Sequence, residues 1–210
     1  MHALCPVPIH SRTVPAYGEF PVKRLINICL LALVISSQGA ASDAASDAAS
    51  DAVRAPDWTL RAPDGRQVNL AQESKKQTTI LLFWATWCPY CKALMPHLQS
   101  MRLEYGNDIR ILAINIKEDG DPVGFMESAG YDFTLLLDGD DVADLYEVMG
   151  TPGVFVVDAQ QHIRFDLTRI PRIELPATDK PPGNSRKAAY MAPYWAAEIR
   201  KSLDVVMLER

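Results

Sequence analysis

Cysteine is scarce in this chain and unevenly placed. Of the four, Cys5 and Cys29 lie within the first forty residues, which leaves Cys88 and Cys91 as the only thiols of the remainder. A disulfide framework of the kind that staples small secreted domains is thereby excluded, so these two are not one pair among several. Histidine is as sparse, with only His97 and His162 beyond residue 40. A structural zinc site wants about four ligands, and two cysteines without a second pair supply half of them. Basic charge is not in excess either. Lys and Arg number 21 against 26 Asp and Glu, a net charge of −5. Residues 1–40 contribute +2 of this (Arg12, Lys23 and Arg24 against Glu19), so a product trimmed there carries −7. An acidic surface argues against nucleic acid as the main partner. The apolar run Leu25 to Ile35 holds about eleven residues with Asn27 inside it, where a membrane span wants roughly twenty.

That run is nevertheless informative. Lys23-Arg24 precedes it and Ser36-Ser37-Gln38-Gly39-Ala40-Ala41 follows. A basic start, a short apolar core and a small-residue exit describe a secretory signal peptide. Residues 1–40 are therefore read as a leader for export, cleaved near Ala40 or Ala41, with an uncleaved membrane anchor as the alternative. Ala-Ser-Asp-Ala then repeats three times over residues 41–52. It has no bulky apolar residue to bury, so 41–55 is read as a flexible linker. Residues 56–210 remain for one folded domain.

Within that domain the chemistry concentrates at Phe83-Trp84-Ala85-Thr86-Trp87-Cys88-Pro89-Tyr90-Cys91-Lys92, with Pro96 just behind. The apolar run at 78–84 predicts a buried strand, and helical spacing at Leu94, Leu98, Met101 and Tyr105 predicts a helix from Cys88 to about Tyr105. Cys88 thus falls at a helix start, where unpartnered N–H groups and the helix dipole favour a thiolate. Cys88 is expected to be exposed at that helix start; Cys91, one turn in, can close a short disulfide with it and is expected to be the more buried of the two. Such a pair can accept or donate two electrons with no further cofactor. Around it, Trp58–Leu60 and Gln67–Leu70 read as a hairpin about Pro63-Asp64-Gly65-Arg66, and residues 71–77 as a polar link. Ile109–Ile116 reads as a strand, Asp121–Gly130 as a helix anchored by Phe125 and Met126, Thr134–Leu137 as a strand, and Asp140–Met149 as a helix. Val154–Val157 and His162–Leu167 form a closing hairpin, and a last helix spans about Pro193 to Met207. This order predicts an α/β fold with a mixed central sheet.

The motif around the cysteines resembles the thioredoxin superfamily, and most of all the TlpA/ResA branch of exported thiol–disulfide oxidoreductases. Gly150-Thr151-Pro152 supplies the second half of that signature. The resemblance implies a thioredoxin-like fold with an N-terminal hairpin and a TlpA-type strand–helix insertion. It implies that Pro152 is cis and faces the redox-active Cys88–Cys91 disulfide, and that backbone at Thr151 pairs with substrate. Cys88 would attack and Cys91 resolve, with Trp87 flanking the sulfur as well as packing in the core, and with Pro89 and Tyr90 tuning the potential. Pro-Tyr is the pair seen in glutaredoxins, which implies intermediate poise. The implied partners are a client protein with a disulfide, as in cytochrome c maturation, and a membrane thiol electron donor of the DsbD type. The implied location is periplasmic or otherwise extracytoplasmic. Thr before the proline also occurs in disulfide isomerases, so isomerisation stays open.

Two features depart from that pattern. Relatives carry an acidic residue three after the second cysteine, or a buried aspartate six before the first; here Leu94 and Leu82 stand there. Neither can relay a proton to or from Cys91. Residues 168–192 form the other departure, a stretch with Pro171, Pro176, Pro181, Pro182 and Gly183 that is locally basic. It is read as a long surface loop. A rival from another class is copper binding or delivery on the same fold. That chemistry wants cysteines three residues apart and a distant histidine. His97 is expected on the helix surface and His162 in solvent, so no metal site is assigned.

Overall fold

The computed structural model describes residues 53–171, 173–174 and 181–210. The leader, and the linker up to residue 52, lie outside the described residues. The folded part begins at least at Val53, whose carbonyl accepts from Ile163, while Ala55 donates to Gln161 and is buried. Residues 53–55, expected in the linker, therefore belong to the domain.

The elements are β1 (Thr59–Arg61), β2 (Gln67–Asn69), α1 (Leu70–Ser74), β3 (Thr78–Trp84), α2 (Pro89–Tyr105), β4 (Ile109–Asn115), α3 (Pro122–Ala129), β5 (Thr134–Leu136), α4 (Asp140–Leu145), β6 (Gly153–Val157), β7 (Ile163–Asp166) and α5 (Asn184–Leu208). Five strands form one sheet in the order β5-β4-β3-β6-β7. The β5, β4 and β3 strands run parallel, and β6 and β7 pair antiparallel beside them. The sheet is mixed, as its sequence pattern indicates, and β1 and β2 form a separate antiparallel hairpin.

β3 is apolar throughout because both of its faces are covered. Ile80, Leu82 and Trp84 pack into the cluster that holds Leu94, Leu98 and Met101 of α2 and Ile199 and Leu203 of α5. Leu81 and Phe83 point the other way, into a cluster with Trp58 and Val68 of the hairpin region and Val142 and Ala143 of α4. Fully burying one leucine or phenylalanine is worth roughly 1.5–3 kcal/mol, so β3 is the strand on which both layers depend.

Three local expectations change. Residues 70–74 form a short helix rather than a polar link, because the Asn69 side chain caps it by accepting the Gln72 N–H. α4 stops at Leu145, where Tyr146 leaves the helix to pack between Phe83 and Phe155. The long loop expected over 168–192 is shorter. Leu167–Arg169 make a 3-10 turn, and α5 begins at Asn184, nine residues before the expected Pro193. Pro193 sits inside α5 on an exposed face, where its missing N–H leaves one carbonyl a turn earlier without its helical partner.

Candidate active site

The loop from β3 into α2 carries the cysteines. Cys88 is the N-cap of α2: its backbone is extended (φ −84°, ψ 107°) and its sulfur accepts the Cys91 N–H at 3.1 Å. Pro89 takes the first helical position, where a missing N–H loses nothing. Cys88 and Cys91 are disulfide-bonded with Cα atoms 5.4 Å apart. The expectation of an exposed Cys88 is not met: it is 1% exposed and Cys91 0%. As N-cap, Cys88 turns its sulfur back over the start of the helix onto Cys91, into the cluster of Trp84, Leu94 and Met95.

Thr151–Pro152 is a cis peptide, as the resemblance implies. Gly153 follows it into β6, opposite Phe83. A Cβ there would stand 2.8 Å from Val148 Cγ1 and 3.3 Å from Phe83 Cβ, so the Val148 side chain leaves no room for one and β3 little. Tyr90, between the two cysteines in sequence, lines one cavity together with Thr151 and Pro152. The structure therefore gathers Cys88, Cys91, Tyr90, Thr151 and Pro152 at one end of the sheet.

Trp87 departs from expectation. It is 49% exposed, not packed in the core, and its indole N–H donates to the Lys117 carbonyl at 2.7 Å. That bond ties the cysteine loop to the loop after β4. Lys92, the residue after Cys91, holds its ammonium 5.3 Å from the Phe125 ring centroid, and Phe125 in turn packs on Trp84.

Glu118 was not legible as a site residue. Its carboxylate accepts from the Thr86 hydroxyl, the Thr86 N–H (2.9 Å), the Asn115 amide (2.6 Å) and the N–H groups of Asp119 (3.0 Å) and Gly120 (2.9 Å). Burial alone would raise its pKa. The hydrogen bonds from Thr86, Asn115 and Gly120 outweigh that and hold it at about 2, below the ordinary 4.5. The available signal was register. β3 and β4 are parallel with Trp84 beside Asn115, so residues just past each strand end meet above the sheet.

Leu82 and Leu94 are both fully buried in the cluster that contains the cysteines, so their positions offer no proton relay. His97 is half-buried on α2 rather than on its open surface. His162 is half-buried too, 3.7 Å from Asp158 in the β6–β7 turn, at the end of β6 away from Gly153 and the cysteines. Among the described residues no three His, Cys, Asp or Glu side chains converge as a metal site would need.

Residues 52–166, more than half of the chain, match the AhpC/TSA family. The chain belongs to that family. The thioredoxin-like protein YneN of Bacillus subtilis is 29% identical over 109 residues, 50% of this chain and 64% of that protein. Thiol-disulfide oxidoreductase ResA of Geobacillus thermodenitrificans is 31% identical over 117 residues, 54% of this chain and 67% of that one. A Chlorobium tepidum structure assigned as a thiol:disulfide interchange protein DsbE superposes with a TM-score of 0.50 and 27% identity, covering 55% of this chain and 82% of that one. The match to YneN thus spans a little under two thirds of that relative's length. The fold of this AhpC/TSA-family chain is thioredoxin-like, its relatives are ResA-type, and the resemblance read from the cysteine motif holds.

Proposed function

We propose that this chain is an exported thiol–disulfide oxidoreductase that reduces disulfides of specific extracytoplasmic client proteins through Cys88 and Cys91. The observation that carries the reading is the joined pair at the N-terminus of α2, with Tyr90, Thr151 and Pro152 lining the cavity alongside. In the reduced protein the helix dipole and the Cys91 N–H favour a Cys88 thiolate. It attacks one sulfur of a client disulfide; that bond breaks, and the other client sulfur leaves as a thiolate and takes a proton from water. Cys91 then loses its proton to water and attacks Cys88, and the second client thiolate is released. Two electrons pass to the client, which leaves as a dithiol, and the chain is left oxidised as the Cys88–Cys91 disulfide. No further cofactor takes part.

Return to the dithiol needs a reductant on the same side of the membrane, which suits a membrane thiol donor of the DsbD type. The leader at 1–40 supports a periplasmic or otherwise extracytoplasmic location, and client apoproteins of cytochrome c are one fitting class. Reduction of insulin by dithiothreitol, run beside a copper titration, tests the reading. The expected result is catalysed insulin reduction that Cys88→Ala abolishes, with no stoichiometric copper binding. Stoichiometric copper binding without insulin reduction would replace it with the metal-delivery reading.

A further inference from the structure

The cavity beside Thr151 and Pro152 has a wall that the family match, ending at residue 166, does not reach. Ile170, Pro171 and Ile173 come from the segment after β7, and Lys187, Met191 and Trp195 from α5. The last three are spaced four residues apart, so they form one stripe along the helix. Ala188, Ala192 and Ala196 form the adjoining stripe and are buried. Their small size lets α5 lie close on α2, and Trp195 thereby reaches Tyr90, with ring centroids 6.0 Å apart. The Tyr194 hydroxyl donates to the Pro171 carbonyl at 3.1 Å and holds the inserted segment against the helix. The part of the insert that departs from the family pattern is thus built into the site.

The cavity measures about 540 Å³, within the ~300–1,000 Å³ of ligand clefts. Its lining is mostly apolar and aromatic, with Thr151 and Thr168 as neutral polar members, and among the described residues Lys187 is the only charged side chain in it. Ile173 stands 36% exposed at its edge, an apolar side chain with water over it.

We propose that this wall selects the client. It takes an extended segment whose exchanging cysteine is followed or preceded by a bulky apolar residue, with an acidic residue close by. This rests on the oxidoreductase reading and deepens it. The apolar side chain lies against Ile170, Ile173, Met191 and Trp195, where leaving water is its driving force. The carboxylate meets Lys187, the half-buried lysine of the lining, as the complementary charge.

Short peptides with one cysteine, supplied as symmetric disulfides, test this. Four sequences place Phe or Ala beside the cysteine and Glu or Lys next along. The reduced full-length protein is mixed with each, acid-quenched, and its Cys88–Cys91 fragment followed by mass spectrometry. Expected is a Phe-over-Ala ratio of at least about tenfold, the scale of burying a large apolar side chain. A Glu-over-Lys ratio of about fivefold is expected, fading near 1 M salt, as a partly screened charge pair should. Lys187→Glu reverses the Glu/Lys ratio and Met191→Asp flattens the Phe/Ala ratio. Each ratio is taken within one protein, so altered intrinsic reactivity cancels; should either variant not fold, the wild-type ratios and their salt dependence decide alone. Equal rates with all four peptides overturn the proposal and leave the oxidoreductase reading intact. No exchange with any disulfide overturns both. A wild-type dimer in sedimentation that Met191→Asp dissociates, with peptide ratios unchanged, would assign the cavity to a second copy and overturn it as well.

Discussion

Glu118 takes both donors of Thr86, the hydroxyl on one carboxylate oxygen and the backbone N–H on the other. Thr86 stands two residues before Cys88, so a carboxylate from the far side of β4 fixes the loop that delivers the cysteine pair. Gly120 makes room for the contact: a Cβ there would come within 2.5 Å of the Thr86 hydroxyl. Two loops far apart in sequence are joined at one charged group, and the Trp87–Lys117 bond runs alongside.

Replacing Glu118 by Gln puts an NH2 group against N–H donors that need an acceptor. The expected loss is about 1–3 kcal/mol of unfolding free energy, the scale of leaving a half-buried polar group unpaired. Guanidinium denaturation of the oxidised protein measures it. No change in the midpoint would show that the carboxylate is incidental.

The same carboxylate sets an acid limb in stability. Its folded pKa is about 2 against an ordinary 4.5. Between those values the unfolded chain binds the proton and the folded one does not, so stability falls as pH drops from about 4.5 towards about 2. Above that window this group's contribution is constant. Thermal unfolding of wild type and Glu118→Gln across pH 2–6 should give a steeper acid decline in the wild type; parallel curves would contradict it.

Gly153 lies where β6 passes β3 directly after Pro152. Gly153→Ala pushes a methyl against Val148 and Phe83 and is expected to cost about 1–3 kcal/mol, the range for overfilling a packed interior. Chemical denaturation checks this. An unchanged midpoint would mean that β6 shifts freely.

Cys91 has no carboxylate at positions 82 or 94, where Leu82 and Leu94 are apolar and fully buried. Glu118, already satisfied by its donors and held at about 2, is a poor proton acceptor near neutrality. The rate of thiol exchange against pH is therefore expected to follow thiol ionisation alone. A further carboxylate-type step in the profile would reveal a relay that these residues do not supply.

Much of this was readable from the chain. The apolar run at 78–84, the cysteines at a helix start and the late Thr151–Pro152 were enough to place the sheet, α2 and the site at one end of β3. What escaped were effects of tertiary contact. α5 reaches back to Asn184 because Ala188 and Ala192 pack inside, which overrides the helix start that Pro193 suggests. Trp87 reads as a core residue by composition, yet a backbone carbonyl on another loop captures its N–H. Cys88 reads as exposed from its place at a helix start, and the N-cap geometry folds its sulfur inward. Glu118 looked like one acid among several, and only the parallel register of β3 with β4 sets it over Thr86.

The central claim is that Cys88 attacks and Cys91 resolves. Cys91→Ala protein, incubated with a disulfide-bearing peptide and mapped by mass spectrometry after proteolysis, tests it most directly. A stable mixed disulfide on the fragment containing Cys88 is expected, with Cys88→Ala protein giving none at Cys91. Adduct at Cys91 in the Cys88→Ala protein, and none at Cys88 in the other variant, would contradict the account.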